Sequence, residues 1–185
     1  MRVLPTELPG VLIVEPAVHR DGRGFFIETY HEPRYRAAGI ADRFVQDNHS
    51  RSGPRTLRGL HGQFERPQGK LVRCTRGAIW DVAVEARRGS PHFGRWVGVT
   101  LSADDCRQLW VPPGFLHGFC VLGDGAEVEY KCTVVYEPAL DFAVRWDDPA
   151  FGIIWPIADP ILSSKDAAAA PLAAVLDRLP AYDAG

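Results

Sequence analysis

The sequence predicts an all-β protein that folds as a sandwich or barrel, and three observations support this. Between residues 11 and 146, short runs of β-branched, aromatic and other apolar residues are broken by Gly, Pro and Asp, as in chains made of many short strands. Helix-type periodicity is scarce in the same region. The length of 185 residues suits one domain with a sizeable core. We therefore expect a single domain over residues 1–185, with a helical appendage from about residue 165.

The predicted elements follow one another at short intervals. Strands are expected over residues 11–14, 24–29, 56–63, 70–75, 78–86, 95–101, 108–111, 117–121, 127–136 and 142–146. A short helical turn is expected over 32–38, and residues 152–160, rich in aromatic residues and Pro, are expected to form an ordered loop. Near the C-terminus, helical spacing predicts a final helix whose apolar stripe packs on the sandwich, formed by Leu172, Val175, Leu176 and Leu179.

Composition excludes several classes of protein. The 21 Lys and Arg residues nearly balance 23 Asp and Glu residues, a net charge of -2, which argues against general binding of nucleic acid or anionic membrane. No signal-peptide pattern and no apolar run of about 20 residues is present, so we expect a cytoplasmic protein. The cysteines are scattered without a CxxC pair, which favours reduced thiols over a zinc site.

One local pattern makes the fold more specific. Pro112, Gly114 and His117 form P-x-G-x-x-H between two predicted strands, where Pro and Gly favour a tight turn. This pattern resembles the second motif of the cupins, whose fold is a double-stranded β-helix, or jelly roll. The H-x-H pair of the first cupin motif is absent, so we expect no metal site.

His61 has the most suggestive surroundings of the histidines. It lies in TLRGLHGQ, where Arg58 supplies a nearby cation and two glycines leave space beside the strand, as they do where a ligand approaches. A buried His bonded to a neighbouring carbonyl would fit the same pattern. Arg58 and His61 are three residues apart, so a regular strand would direct them to opposite faces. Either a bulge at Gly59 or an Arg58 side chain that reaches round the strand end would bring them together.

Further candidate residues have ordinary structural explanations beside the functional ones. Lys70 opens a strand and Tyr130 lies within one, and such residues are most often solvated and core residues respectively. Arg23, in DGRGFFIETY, could grip a phosphate beside aromatic residues that stack on a base. Asp166 follows Ser163 and Ser164, which by itself is typical of a capped helix N-terminus.

Taken together, these segments resemble the dTDP-4-dehydrorhamnose 3,5-epimerase family. The resemblance covers about residues 11 to 170 and is carried, in order, by DGRGFFIETY, FVQDNHSRS, LRGLHGQ, QGKLVRCTRGAIWDVAVEARRGSPHFGRWVGVTLS, QLWVPPGFLHGF, YKCT, GIIWP and LSSKDAAA. It implies a cupin jelly roll without metal or organic cofactor. It also implies a homodimer in which each chain lends a strand to its partner's sheet.

The resemblance further implies a role for particular residues. His61 would be the general base, with Asp166 holding its imidazole, Tyr130 the acid on the opposite face of the sugar, and Lys70 the cation beside the ketone oxygen. The substrate, a dTDP-linked 4-keto-6-deoxy sugar, would contact Arg23, Phe26, Glu28, Gln46, Asp47, Asn48, Arg58, His117, Asp141 and Lys165.

Three positions depart from the family pattern. Gly62 and Val135 stand where the family commonly has aromatic residues, and Asp141 stands where Glu is usual. The expected activity is epimerisation at C3 and C5, and these departures leave inversion at a single carbon open. The sequence is also compatible with a metal-dependent cupin and with a catalytically silent sugar-nucleotide-binding cupin.

Overall fold

The computed structural model describes residues 1–183 and confirms an all-β jelly roll with a few short helices. The strands are β1 (Arg2–Pro5), β2 (Leu12–Glu15), β3 (Val18–Asp21), β4 (Gly24–Ile27), β5 (Gln46–Ser52), β6 (Leu57–Gln63), β7 (Lys70–Glu85), β8 (Trp96–Ser102), β9 (Gln108–Val111), β10 (Phe115–Cys132) and β11 (Asp141–Ala143). The helices are α1 (Glu32–Ala37) and α2 (Ser164–Ala167), with 3-10 turns at Leu172–Ala174 and Leu176–Arg178.

Two long antiparallel strands, β7 and β10, form the spine of the barrel. The first part of β7 pairs with β9 and its second part with β8, whereas β10 pairs first with β6 and then with β5. The change of partner occurs where the β7–β10 register shifts, between Leu122 and Val128. There the backbones lie so close that a methyl group on Gly77 would come 2.1 Å from Gly125 O, which only Gly accommodates. Each spine strand therefore serves both layers of the sandwich.

Alternating side chains separate an inner core from two outer ones. Inward residues of the spine, such as Val72, Ile79, Phe119 and Val128, fill the barrel. One outer core packs the opposite face against residues 144–179, including Trp155. The other lies under α1 and the N-terminal strands, around Leu71, Trp110 and Tyr35.

Most predicted strands are confirmed, with two mergers. The segments predicted over 70–75 and 78–86 are one strand, and those over 117–121 and 127–136 are another that ends at Cys132. The strand predicted over 142–146 ends at Ala143. The short helix over 32–38 is confirmed, and β1, β3 and β5 were not predicted. β5 has the sequence QDNHSRS, in which half-buried polar residues alternate with exposed polar residues. It therefore lacks the apolar alternation by which a strand is predicted.

The continuous C-terminal helix is a wrong prediction. Two 3-10 turns stand in its place, bracketed by Pro171 and Pro180. Leu172, Val175 and Leu179 are buried, but Leu176 is 42% exposed. Residues three apart eclipse one another in a 3-10 turn, so the stripe is buried without an α-helix.

Cys74, Cys120 and Cys132 are buried free thiols, as expected. No helix among residues 1–183 is long and apolar enough to cross a bilayer.

Candidate active site

The open end of the barrel holds a cavity of about 260 Å³ between the two layers. It brings together seven of the predicted site residues, namely Gln46, Asn48, His61, Lys70, Tyr130, Asp141 and Lys165. Gln46 and Asn48 reach it from the edge strand β5, whose inward residues are half-buried while Asp47 between them is exposed. Gln46 donates to Asn48 Oδ1 at 3.1 Å and accepts from Tyr136 N at 2.8 Å, which fixes both amides at the rim.

A bulge in β6 resolves the spacing of Arg58 and His61. His61 lies opposite His117 on β10, and Arg58 lies opposite Phe119, so three steps on β6 match two on β10. Because His117 and Phe119 share a face, their partners share one too. The backbones touch at this point, since a methyl group on Gly59 would lie 2.6 Å from Gly118 Cα. The bulge therefore turns both Arg58 and His61 inward.

His61 is paired with a buried carboxylate from a distant part of the chain. Its Nε2 lies 2.5 Å from Asp166 Oδ1, and the Asp166 side chain is only 3% exposed. Ser163 caps helix α2 by accepting from Asp166 N and also donates to Asp166 Oδ2. Burial raises the pKa of Asp166, but the bonds from His61 and Ser163 outweigh it and hold that pKa below its usual value. The pairing leaves His61 Nδ1 as the ring nitrogen free to accept a proton.

Lys70 and Tyr130 face the same cavity from the two spine strands. Burial lowers the pKa of Lys70, while Cys132, Asp81 and Asp141 act to raise it. Burial raises the pKa of Tyr130, with a further increase from Cys132 and an opposing effect from the Arg58 guanidinium. A phenol with a raised pKa stays protonated near neutral pH and is able to donate its proton.

A polar cluster closes one side of the cavity. Asp141 forms an ion pair with Lys165, and its Oδ2 also accepts from the Tyr136 hydroxyl at 3.2 Å. Asp141 therefore draws together strand β11, helix α2 and the chain after β10. Neither Tyr136 nor the other unpredicted lining residues, Gln63 and Gln68, belongs to an apolar pattern, so only their position in the barrel reveals them.

His117 lies behind the cavity wall and is not among the residues that line it. Its Nε2 is 3.0 Å from both oxygens of Asp81, which is fully buried, and only 9% of the His117 side chain is exposed. Asp81 was not predicted, and its place opposite Phe119 in β7 explains why it meets His117. The Asp81 carboxylate of this pair also acts to raise the pKa of Lys70.

Four predicted residues lie away from the cavity in the described chain. Arg23, Phe26 and Glu28 belong to the β3–β4 hairpin or its exit, and Phe26 is 70% exposed. Arg23 pairs with Asp21, and Glu28 with Arg34. Asp47 projects outward and pairs with Lys131. Within residues 1–183 no group of three or more His, Cys, Asp and Glu side chains is arranged to hold a metal ion.

The sequence matches the family model of dTDP-4-dehydrorhamnose 3,5-epimerase over residues 5–174. The chain belongs to this family. A dTDP-4-dehydrorhamnose 3,5-epimerase from Neisseria gonorrhoeae is 55% identical over 170 residues, which cover 91% of this chain and 52% of that protein. This chain thus spans about half the length of the Neisseria protein.

Solved structures of epimerases have the same fold. The dTDP-6-deoxy-D-glucose-3,5-epimerase of Legionella pneumophila, in complex with dTDP-4-keto-L-rhamnose, is 47% identical, with a TM-score of 0.96 over 99% of both chains. A 3'-monoepimerase from Streptomyces bikiniensis, in complex with dTDP-quinovose, is 36% identical, with a TM-score of 0.89 over 96% of this chain and 92% of that one. This chain is therefore structurally similar both to a 3,5-epimerase and to an epimerase that is named for the 3' carbon alone.

The three departures from the family pattern differ in their positions. Asp141 lines the cavity and holds Lys165, whereas Val135 is 46% exposed and does not line it. Gly62 contributes backbone to the cavity wall, and the space beside it is filled by Phe142 and Leu116.

Proposed function

We propose that this protein is an isomerase, a dTDP-4-dehydrorhamnose 3,5-epimerase that converts dTDP-4-dehydro-6-deoxy-D-glucose to dTDP-4-dehydro-L-rhamnose. The observation that carries the proposal is the convergence of His61, Lys70 and Tyr130 on one cavity of a chain in this family. The proposal requires neither a metal nor an organic cofactor, because these three side chains include a base, a cation and an acid.

The chemistry follows from the acidity of a C–H bond beside a ketone. Loss of that proton gives an enolate whose charge spreads onto oxygen, so a C4 ketone labilises the protons on both C3 and C5. His61 Nδ1 removes the proton, and the Lys70 ammonium stabilises the charge that develops on the ketone oxygen. Tyr130 returns a proton to the opposite face of the carbon, which inverts the centre.

Asp166 supports the base in two ways. Its bond to His61 Nε2 fixes the tautomer that presents Nδ1 to the substrate. Its negative charge stabilises the imidazolium that forms after proton transfer. Ser163 holds the carboxylate in place, so helix capping and orientation of the base are two tasks of one short segment.

The proposed substrate contacts serve the diphosphate, the sugar and the nucleotide. Arg58 and Lys165 supply positive charge for the diphosphate, and Gln46, Asn48 and Asp141 supply polar groups at the cavity rim. His117 is proposed to bound the sugar from below through its pairing with Asp81. Arg23, Phe26 and Glu28 are proposed for the nucleotide end, and Asp47, which is exposed on the outer face of β5, is proposed as a minor contact there.

The hairpin residues suggest how a second chain completes the site. Within residues 1–183, β3 and β4 pair only with each other, and the large apolar side chains Phe25 and Phe26 are 57% and 70% exposed. We propose a homodimer in which this hairpin joins the partner's sheet and carries Arg23 and Phe26 to the partner's nucleotide. Sedimentation velocity should give twice the chain mass at micromolar concentration, and a monomer with full activity would contradict this arrangement. We also propose that the dimer acts in the cytoplasm.

Deuterium exchange tests the reaction directly. Incubation of the dTDP-4-keto sugar with enzyme in deuterated water should place deuterium at both C3 and C5, as followed by proton NMR. A folded sample that exchanges neither proton would contradict the proposed function and favour a silent binding protein.

Inversion at C3 alone is the second candidate. It is favoured by the similarity to the Streptomyces 3'-monoepimerase and by the departure at Asp141, which lines the cavity. Deuterium at C3 with none at C5 would select this candidate over the first.

A further inference from the structure

The strand that carries the proposed base has no side chain at the next position. Gly62 follows His61 in β6 and faces the outer core, as alternation along a strand requires. A methyl group at Gly62 would come 2.8 Å from Phe142 Cζ and 2.9 Å from Leu116 Cδ2, closer than carbon atoms pack. The φ angle of Gly62 lies outside the left-handed region, so the backbone does not require Gly here. The space, and not the backbone, excludes a side chain.

Phe142 fills that space from the neighbouring strand. It lies directly opposite Gly62 in the antiparallel pair of β6 and β11, and it is only 5% exposed. The Arg178 guanidinium covers its ring at 5.7 Å from the centroid. Such a Gly–aromatic pair places one ring across two strands, because the ring lies over the backbone of the residue that has no Cβ.

The same register places Asp141 and His61 on the side of the two strands that faces the cavity. Asp141 lies opposite Gln63, and Ala143 lies opposite His61, so both flank the Gly62–Phe142 pair. β11 is only three residues long and lies at the edge of the sheet, and backbone bonds between Leu60 and Val144 and from Phe64 to Leu140 continue its pairing at the two ends. A slip of one residue would turn Asp141 away from the cavity and break its contact with Lys165.

We propose that Phe142 is a positioning residue for proton transfer: its ring, seated on Gly62, locks β11 against β6 and so fixes His61 and Asp141 relative to each other. This inference rests on the proposed function, because it assigns His61 the role of base. It also gives the departure at Gly62 a structural meaning. The aromatic ring that supports this strand comes from β11, and Gly62 makes room for it.

Phe142→Ala tests the proposal against Phe151→Ala, which removes the same side chain from the same outer core away from the cavity. Both variants should lose stability. Phe142→Ala should also lower kcat about tenfold or more relative to Phe151→Ala, because small displacements of a reacting group are costly. In the double variant Gly62→Phe, Phe142→Gly, β6 instead of β11 carries the ring that fills the space between the two strands. This variant should restore kcat to within about threefold of wild type.

Two outcomes would overturn the proposal. One is equal kcat in folded Phe142→Ala and Phe151→Ala. The other is a folded double variant that is no faster than Phe142→Ala. Amide hydrogen exchange gives a readout independent of turnover, and residues 57–63 and 141–143 should exchange faster in Phe142→Ala than in Phe151→Ala. If wild type shows no proton exchange with substrate, the proposed function fails, and the amide measurement still decides whether Phe142 locks the two strands.

Discussion

The cavity wall and the β3–β4 hairpin both carry predicted site residues, but the chain supports them differently. His61, Lys70 and Tyr130 lie on β6, β7 and β10, and β10 pairs with both of the other two strands. Arg23 and Phe26 lie on a two-stranded sheet that pairs with nothing else in residues 1–183. Under the proposed function, one chain would build the site of proton transfer, whereas the proposed nucleotide end would depend on where the hairpin docks. Variants in the two regions should therefore fail in different ways.

The largest effect is expected in the cavity wall. His61→Ala removes the proposed base and should lower deuterium exchange on the order of 10²- to 10⁴-fold. Nucleotide affinity should stay nearly unchanged, because His61 is proposed to contact the sugar end. NMR exchange and calorimetric titration with dTDP measure the two quantities. Exchange at the wild-type rate would contradict the assignment of the base.

Asp166→Asn should lower kcat about 100-fold or more, because the amide neither fixes the tautomer in the same way nor stabilises the imidazolium. The variant should also change how stability depends on pH. The pKa of Asp166 is lower folded than unfolded, so its charge stabilises the fold above about pH 4. That contribution is lost as pH falls through the folded pKa.

Thermal unfolding of wild type and Asp166→Asn measures this second effect. The gap in Tm between the two proteins should shrink between about pH 7 and about pH 3. A constant gap over that interval would show that the charge of Asp166 does not contribute to stability.

The hairpin should show an intermediate effect of a different kind. Arg23→Ala, Phe26→Ala should raise KM about tenfold with little change in kcat, because a charge-assisted phosphate contact is lost without disturbing the base. Mixing this variant with His61→Ala sharpens the comparison. If the hairpin serves the partner's site, re-equilibrated mixed dimers contain one complete site and recover turnover at the wild-type KM. No recovery in proven mixed dimers would show that the hairpin serves its own chain.

The smallest effect is expected at Asp47. It points away from the cavity and is 72% exposed in its ion pair with Lys131, and such surface pairs contribute little. Asp47→Ala should change kcat/KM less than about twofold, whereas Asn48→Ala, one residue along the same strand, should raise KM more. Steady-state kinetics on both variants makes the comparison, and a larger loss at Asp47 would contradict its assignment as a minor contact.

Local patterns predicted the strand-rich fold and most strands of the core, because alternating apolar residues record which face is buried. They failed where polar residues line a cavity, as in β5, and where short turns bury a stripe of helical spacing, as at Leu172 and Val175. The bulge at Gly59 was one of two explanations for the Arg58–His61 spacing. Only the pairing with β10 selected it.

The sequence by itself determined the family, the all-β class and the residues that were candidates for chemistry, because these depend on the order and type of side chains. Tertiary structure alone decided which nitrogen of His61 Asp166 holds, namely Nε2, that His117 pairs with Asp81, and that Phe142 fills the space beside Gly62. These contacts join residues far apart in the chain. Their existence depends on strand register and on the packing of α2 against β6, which no local periodicity encodes.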